Sequence, residues 1–456
     1  MEVFGRNIAQ SVTAFHTVSR VKTLLEEAGF LELQLSKPFT IARGGKYYVS
    51  LYDSSLAAFV IGDEIGQDRM VPLRIACSHT DFPTFKIKPE AGITVDIHDG
   101  TGYQKLNTEV YGGPILNTWM DRPLSIAGRV VVKGETPFAP YSILVDFKKP
   151  VLTIPNLAIH MNREVNKGVE LNRQKDTLPL LEAGAYVKEN LQTSAFMQAV
   201  FEYTREALQE QLQQTPELYS YYMQHDFQIT DILDYELYLY QWEQGCTVGL
   251  HDSMYSSPRL DNLTSVYAIA EGLIQASYSK PSGLLVGMFY DNEEIGSKTK
   301  QGAASNILML VLEKIYLALG KTKEQLIDDI LEGLMLSVDV AHATHPNALE
   351  KSDITNKVIL NNGIVIKEAA NQSYAGDAVG IGIVKQLCQE KDIAYQIFVN
   401  RSDMQGGQTL GSILSALVPI RTVDIGVPLL AMHSARELMG IQDQNNLEKL
   451  LTAFYS

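Results

Sequence analysis

A chain of 456 residues, 45% apolar and 20% charged, is too long for one ordinary domain and is composed like a globular protein. With 38 basic against 53 acidic residues the formal charge is −15, a field that repels phosphate backbones and argues against a nucleic-acid partner. No apolar run approaches the roughly 18 residues of a membrane span, which argues against a membrane partner.

From Val12 to Ala28 apolar residues recur at helical spacing, and Gly29 in EEAGF has the character of a C′ glycine that stops the helix. Short strand-like runs follow: KYYVSLY, LAAFVIG and LRIACSHTD. The last is apolar up to Cys77 and then polar, as a buried strand is where it delivers side chains at its carboxyl end. Between about 92 and 250 the texture changes. AGRVVVKG and PYSILVDF read as strands broken by glycine and proline, and SAFMQAVFEYTREALQEQLQQ reads as a helix. From Leu260 onward helical patterns alternate with the apolar runs GLLVGMFYD, GLMLSVDVA, AYQIFVN and VPIRTVDIG. Such alternation predicts an α/β fold, a mostly parallel central sheet flanked by helices. The economical layout is a catalytic domain of residues 1–91 and 251–456 interrupted by a β-rich insertion, 92–250; three contiguous domains are the rival arrangement. The start, MEVFGRNIAQSVTAF, has no basic-then-apolar leader, and Cys77, Cys246 and Cys388 are too scattered for a disulfide framework. Both features predict a cytoplasmic protein with reduced thiols.

Five segments share one local grammar, with metal-capable side chains clustered beside apolar runs. They are CSHTD (His79, Asp81), SPRLDN (Asp261), MFYDNEEIGS (Asp291, Glu293, Glu294), MLSVDVAHATH (Asp339, His342, His345) and LLAMHSARE (His433). Ligands bind outside the carboxyl ends of strands in open α/β sheets, so segments remote in sequence can converge there. Taken singly each segment has a plain reading: a surface histidine, an Asp-Asn helix cap, an acidic helix start. His342 and His345 precede Pro346 and read as shaping residues. Jointly, the set suits a dinuclear hydrolytic site, which needs a bridging carboxylate, terminal His and Asp/Glu ligands, and an unligated carboxylate as base. Zinc fits such N/O donors, and cobalt or manganese can take the same ligands. On a strand residues two apart point the same way, so Asp81 can orient His79. Glu293 and Glu294 must have different jobs, one on metal and one on a proton, and spacing does not say which.

The blocks SHTDFPTFKIKP, YGGPILNTWMDRPLSIAGRVVVKG, IPNLAIHMNREVN, RLDNLTSVYA, YDNEEIGSKTKQGAAS, DVAHATHPN, RSDMQGGQTLGSILSA and AMHSARELMG resemble, in order, those of the aspartyl aminopeptidase family. The resemblance implies a zinc-exopeptidase-like catalytic domain carrying an inserted dimerisation domain. It implies two zinc ions per subunit, and peptide substrates with a free N-terminus. Asp261 would bridge the ions, His79 and Asp339 would complete one site, and Glu294 and His433 the other. Glu293 would be the general base and Asp81 a support. His160 would reach a neighbouring subunit's active site, within a homo-oligomer, a dimer-based dodecamer. One departure concerns specificity: where members selective for acidic residues carry a lysine, this chain has Asn371, with Ser373 where an arginine often stands. Neutral or apolar P1 residues therefore compete with acidic ones. Two other readings use the same residues, a related dinuclear metallo-carboxypeptidase or N-acyl amidohydrolase, and a catalytically inactive self-assembling shell.

Overall fold

The computed structural model describes residues 1–65, 72–185, 194–212, 218, 221–222, 225–279, 281–404 and 406–456. It divides into two compact units, Met1–Phe82 with Gly245–Ser456, and Pro83–Gln244. The chain thus leaves and re-enters the first unit earlier than the 92–250 expected from texture. The reason lies in strand pairing. The strand Thr84–His98 joins the second unit's sheet from its first residue, Thr84 pairing with Tyr111, and Cys246–Val248 already pairs within the first unit.

The first unit is built on a nine-stranded sheet. Its strands run in the order Leu31–Leu33, Lys46–Leu51, Ser55–Ile61, Leu284–Tyr290, Leu73–His79, Leu334–Val338, Arg421–Gly426, Ile364–Glu368, Tyr395–Val399. Five of its eight pairings are parallel, including every one from Leu284–Tyr290 across to Arg421–Gly426. All of Leu284–Tyr290 is buried, as the unbroken apolar runs require of strands covered on both faces. Successive side chains serve opposite layers. Ala76 joins a core with the helices Ala14–Glu27, Leu260–Tyr278 and Ile441–Tyr455, whereas Ile75 and Cys77 pack with Ile307–Ala318, Lys323–Glu332 and Leu410–Leu417. The first of these helices starts at Ala14 because the Thr13 side chain accepts from the His16 N–H, and Gly29 follows it with φ +80°, the conformation that EEAGF predicts.

A smaller sheet in the same unit runs Cys246–Val248, Met254–Ser257, Glu437–Gly440, Pro428–Leu430, Ala341–His342. The second unit is a six-stranded sheet, in the order Tyr141–Asp146, Leu124–Val132, Ile232–Gln241, Thr84–His98, Thr101–Tyr111, Leu180–Ala185, with every pairing antiparallel. The helix Ala195–Leu212 packs on it, Tyr203 stacking on Phe147 at 3.9 Å between ring centroids. No helix among the described residues is long and apolar enough to cross a membrane.

Candidate metal centre

Strand register assembles the site. Tyr290 pairs with His79 on one side of the central strand, and Ser337 pairs with Cys77 on the other. Two residues further along, Asp339 comes level with His79, while the chain past Tyr290 turns through a short 3₁₀ turn, Glu293–Ile295. Three parallel strands thus end together and deliver His79, the Glu293–Glu294 pair and Asp339 to one edge, the carboxyl edge where such sheets bind ligands. Asp261 enters from the first turn of Leu260–Tyr278. His433 enters from the hairpin turn between Pro428–Leu430 and Glu437–Gly440.

The two oxygens of Asp261 face different histidines. Oδ1 lies 3.3 Å from His79 Nε2 and Oδ2 lies 3.4 Å from His433 Nε2. His79 Nε2 is also 3.6 Å from Asp339 Oδ1 and 4.0 Å from Glu293 Oε2, while His433 Nε2 is 3.4 Å from Glu294 Oε2. Donor atoms of His79, Asp261 and Asp339 lie within 4.8 Å of one another; so do those of Asp261, Glu294 and His433, and those of His79, Glu293 and Glu294. Asp261 Oδ1 and Glu294 Oε1 are buried without a hydrogen-bond partner among the described residues. Left that way such oxygens are costly, so their place among histidine and carboxylate donors fits cations. The N/O donor set is the kind zinc takes.

Electrostatics point the same way. Burial pushes the Glu293 carboxyl up to about 8, with the charges of Asp339, Asp81 and Asp261 adding to the rise against a lowering from His79. Burial and the neighbouring Asp261 and Glu293 charges raise Glu294 well above the carboxylate range. Asp261 stays below that range because the neighbouring His433 and His79 rings together outweigh its burial. The His79 imidazole is buried, which opposes its charge, yet Asp261, Asp339 and Asp81 together raise it well above its ordinary value. Acids outnumber cations here, and divalent ions would restore the balance.

Two further carboxylates hold the donors in place. Asp81 accepts from the Glu293 N–H through Oδ1 and from the Glu294 N–H through Oδ2, both at 3.1 Å. Its carbonyl lies 3.0 Å from His79 Nδ1, which leaves Nε2 to face the acids. Glu437, buried, accepts from the Asp261 N–H at 3.0 Å and from the His433 N–H at 2.8 Å. Burial and the Asp261 charge push its carboxyl up to about 8. Residues 7–455 match the family of aminopeptidase I zinc metalloproteases, M18. The chain belongs to the M18 family. It is 45% identical over 450 residues to the probable M18 family aminopeptidase 2 of Clostridium novyi (strain NT), covering 98% of this chain and 96% of that one. Among solved structures it is similar to the Ape4 and Nbr1 complex, with TM-score 0.88, 31% identity, and 99% of this chain and 84% of that one covered. It is likewise similar to the S. cerevisiae mApe1 dodecamer, with TM-score 0.78, 25% identity, and 100% and 95% covered. This M18 chain is therefore a zinc aminopeptidase.

The structure gathers His79, Asp81, Asp261, Glu293, Glu294, Asp339 and His433 in one cluster. His160 is exposed on a turn of the second unit. Neither His342 nor His345 belongs to the groups around Asp261. Asn371 is exposed on a loop where its Oδ1 accepts from the Ser373 N–H, and it lines a cavity of about 860 Å³ with Glu368, Lys385 and Arg401. Arg401 is engaged twice by Asp403, at 2.7 and 2.6 Å, and by the Glu350 carbonyl. Lys367 is buried, its Nζ donating to the Val340 carbonyl at 3.1 Å and lying 4.0 Å from Asp339 Oδ2. Sequence reasoning passed over Glu437, although it sits four residues after His433 in the same segment.

Proposed function

We propose that this zinc aminopeptidase releases single residues from peptides with a free N-terminus, using two divalent cations per subunit. His79, Asp261 and Asp339 would hold one; Asp261, Glu294 and His433 would hold the other. The observation that carries this reading is Asp261, whose two oxygens address two separate sets of donors. Bound ions of this kind supply Lewis-acid polarisation of the scissile carbonyl and a lowered pKa for water.

The chain's own residues supply the rest. Glu293 is the proton carrier, taking a proton from the attacking water at its carboxylate and returning it to the leaving amine. It belongs to no donor group that also contains Asp261, its oxygen stays near His79, and its raised pKa suits a group that must hold a proton in mid-reaction. Asp81 fixes the backbone of Glu293 and Glu294 and the ring of His79, so proton carrier and ligands keep one geometry. His160 would act as a donor to the substrate carbonyl oxygen of a neighbouring subunit. Its support is an exposed turn flanked by exposed Leu157, Ile159 and Met161, a surface suited to burial against another copy. The inserted unit would then dimerise, and the dimers would build the dodecamer seen for yeast mApe1.

Neutral or apolar P1 residues are proposed over acidic ones. Asn371 carries no charge and Arg401 is already engaged by Asp403, which leaves Lys385 as the cation of that cavity for an acidic side chain to meet. The compartment proposed is the cytoplasm, where three free thiols, two of them buried, are stable. A panel of Asp, Glu, Leu and Met chromogenic substrates with zinc, cobalt and manganese tests the preference. Faster turnover of Leu and Met supports it, and faster turnover of Asp and Glu overturns it. An N-acetylated peptide should not be cleaved; its cleavage would contradict recognition of a free amine.

A further inference from the structure

We propose that Glu437 is a positioning residue that sets the spacing of Asp261 and His433 within one half of the metal centre, an inference that rests on the ligand assignment above. The strand Met254–Ser257 runs antiparallel to Glu437–Gly440, with Ser257 opposite Glu437. Beyond that pair the two chains part. One continues through Pro258 and Arg259 to Asp261; the other has just left the hairpin turn that carries His433. Glu437 stands at the fork, and its two oxygens take one N–H from each branch, Oε1 from His433 and Oε2 from Asp261.

Three observations separate this from generic packing. First, the N–H groups belong to the ligand-bearing residues themselves, so moving the carboxylate moves both donors. Second, His433 has φ +66°, a left-handed conformation unusual for a non-glycine residue, and its bond to Glu437 holds it there. Third, the turn is tied to the same strand once more: Arg436 donates from Nε to Ser256 Oγ at 3.0 Å and from Nη2 to the Ser256 carbonyl at 3.1 Å. Arg436 thus supports the turn as a body, and Glu437 governs the distance from Asp261 to His433. Both of these residues belong to the donor group with Glu294, whereas the group with His79 and Asp339 contains only Asp261. Loss of the bracket should therefore fall unequally on the two sites.

The test uses the assembled full-length protein equilibrated against graded free zinc, with zinc content and the melting temperature of the chelated protein as readouts. Glu437→Gln keeps the shape but can accept from only one of the two N–H groups; Glu437→Asp keeps the charge but is too short to span both. Both variants should bind the first zinc at the wild-type concentration and need about 10- to 100-fold more free zinc for the second. Their chelated melting temperatures, compared at pH 5, should match the wild type. If both equivalents fill as in the wild type, or both weaken together with a lowered chelated melting temperature, the positioning role is overturned. Asp261→Ala is the companion control: wild-type binding of two zincs in that variant would overturn the ligand assignment itself.

Discussion

Asp81 and Glu437 each gather two backbone N–H groups on one buried carboxylate, but across very different stretches of chain. Asp81 stands two residues from His79 and receives consecutive residues, Glu293 and Glu294. Glu437 receives Asp261 and His433, which come from a helix entry and a hairpin turn. The first bracket is built into the parallel centre of the large sheet and the second into a fork of the small sheet. One bracket therefore sets the orientation of the proposed proton carrier together with a ligand, and the other sets only ligand spacing. That difference is open to measurement.

The largest effect belongs to the residue both ends share. Asp261→Ala should abolish turnover and remove both zinc equivalents, read by metal analysis after gel filtration; retention of two equivalents would deny that it serves both. Next comes Glu293→Gln, which should lower turnover by about 10²–10⁴ while zinc content stays normal. Glu294→Gln should do the reverse at the level of metal, losing one equivalent. A pair of variants with exchanged behaviour would swap the two roles.

The brackets themselves come third. Asp81→Asn and Glu437→Gln should each weaken zinc binding or activity by about 10- to 100-fold. Saturating zinc should restore turnover to Glu437→Gln more fully than to Asp81→Asn, because only Asp81 also orients Glu293. Equal recovery would erase the distinction drawn here.

The smallest effect is on stability against pH. The Glu293 and Glu437 carboxyls are both raised to about 8, above the roughly 4.3 of an unfolded glutamate. Between those values the folded chelated protein holds more protons than the unfolded one, so its stability falls as pH rises. The melting temperature of chelated protein should therefore decline from pH 5 to pH 8, and the decline should be shallower in Glu437→Gln. A parallel decline in that variant would remove Glu437 from the effect.

What could be read from sequence follows the same division. The central strands announce themselves because burial on both faces writes them as unbroken apolar runs, GLLVGMFYD above all. His79, Asp339 and the Glu-Glu pair sit directly after such runs, so a reader who knows where parallel strands bind ligands can group them. Asp81 is found by its two-residue spacing. Glu437 carries no comparable mark, since its job depends on the antiparallel register between Met254–Ser257 and Glu437–Gly440. An acid four residues after a loop histidine is otherwise unremarkable. The division at Pro83 is hard to see in the sequence for a related reason. Thr84–His98 begins mostly buried and ends exposed, so its first residues resemble the preceding core and its last ones a loop.

The central claim is that two cations share Asp261, and anomalous diffraction at the zinc edge from crystals of the zinc-loaded protein tests it most directly. The account predicts two peaks roughly 3.5–4 Å apart, one beside His79 and Asp339, the other beside Glu294 and His433, with one Asp261 oxygen on each. A single peak, or two peaks neither of which Asp261 touches, would contradict it.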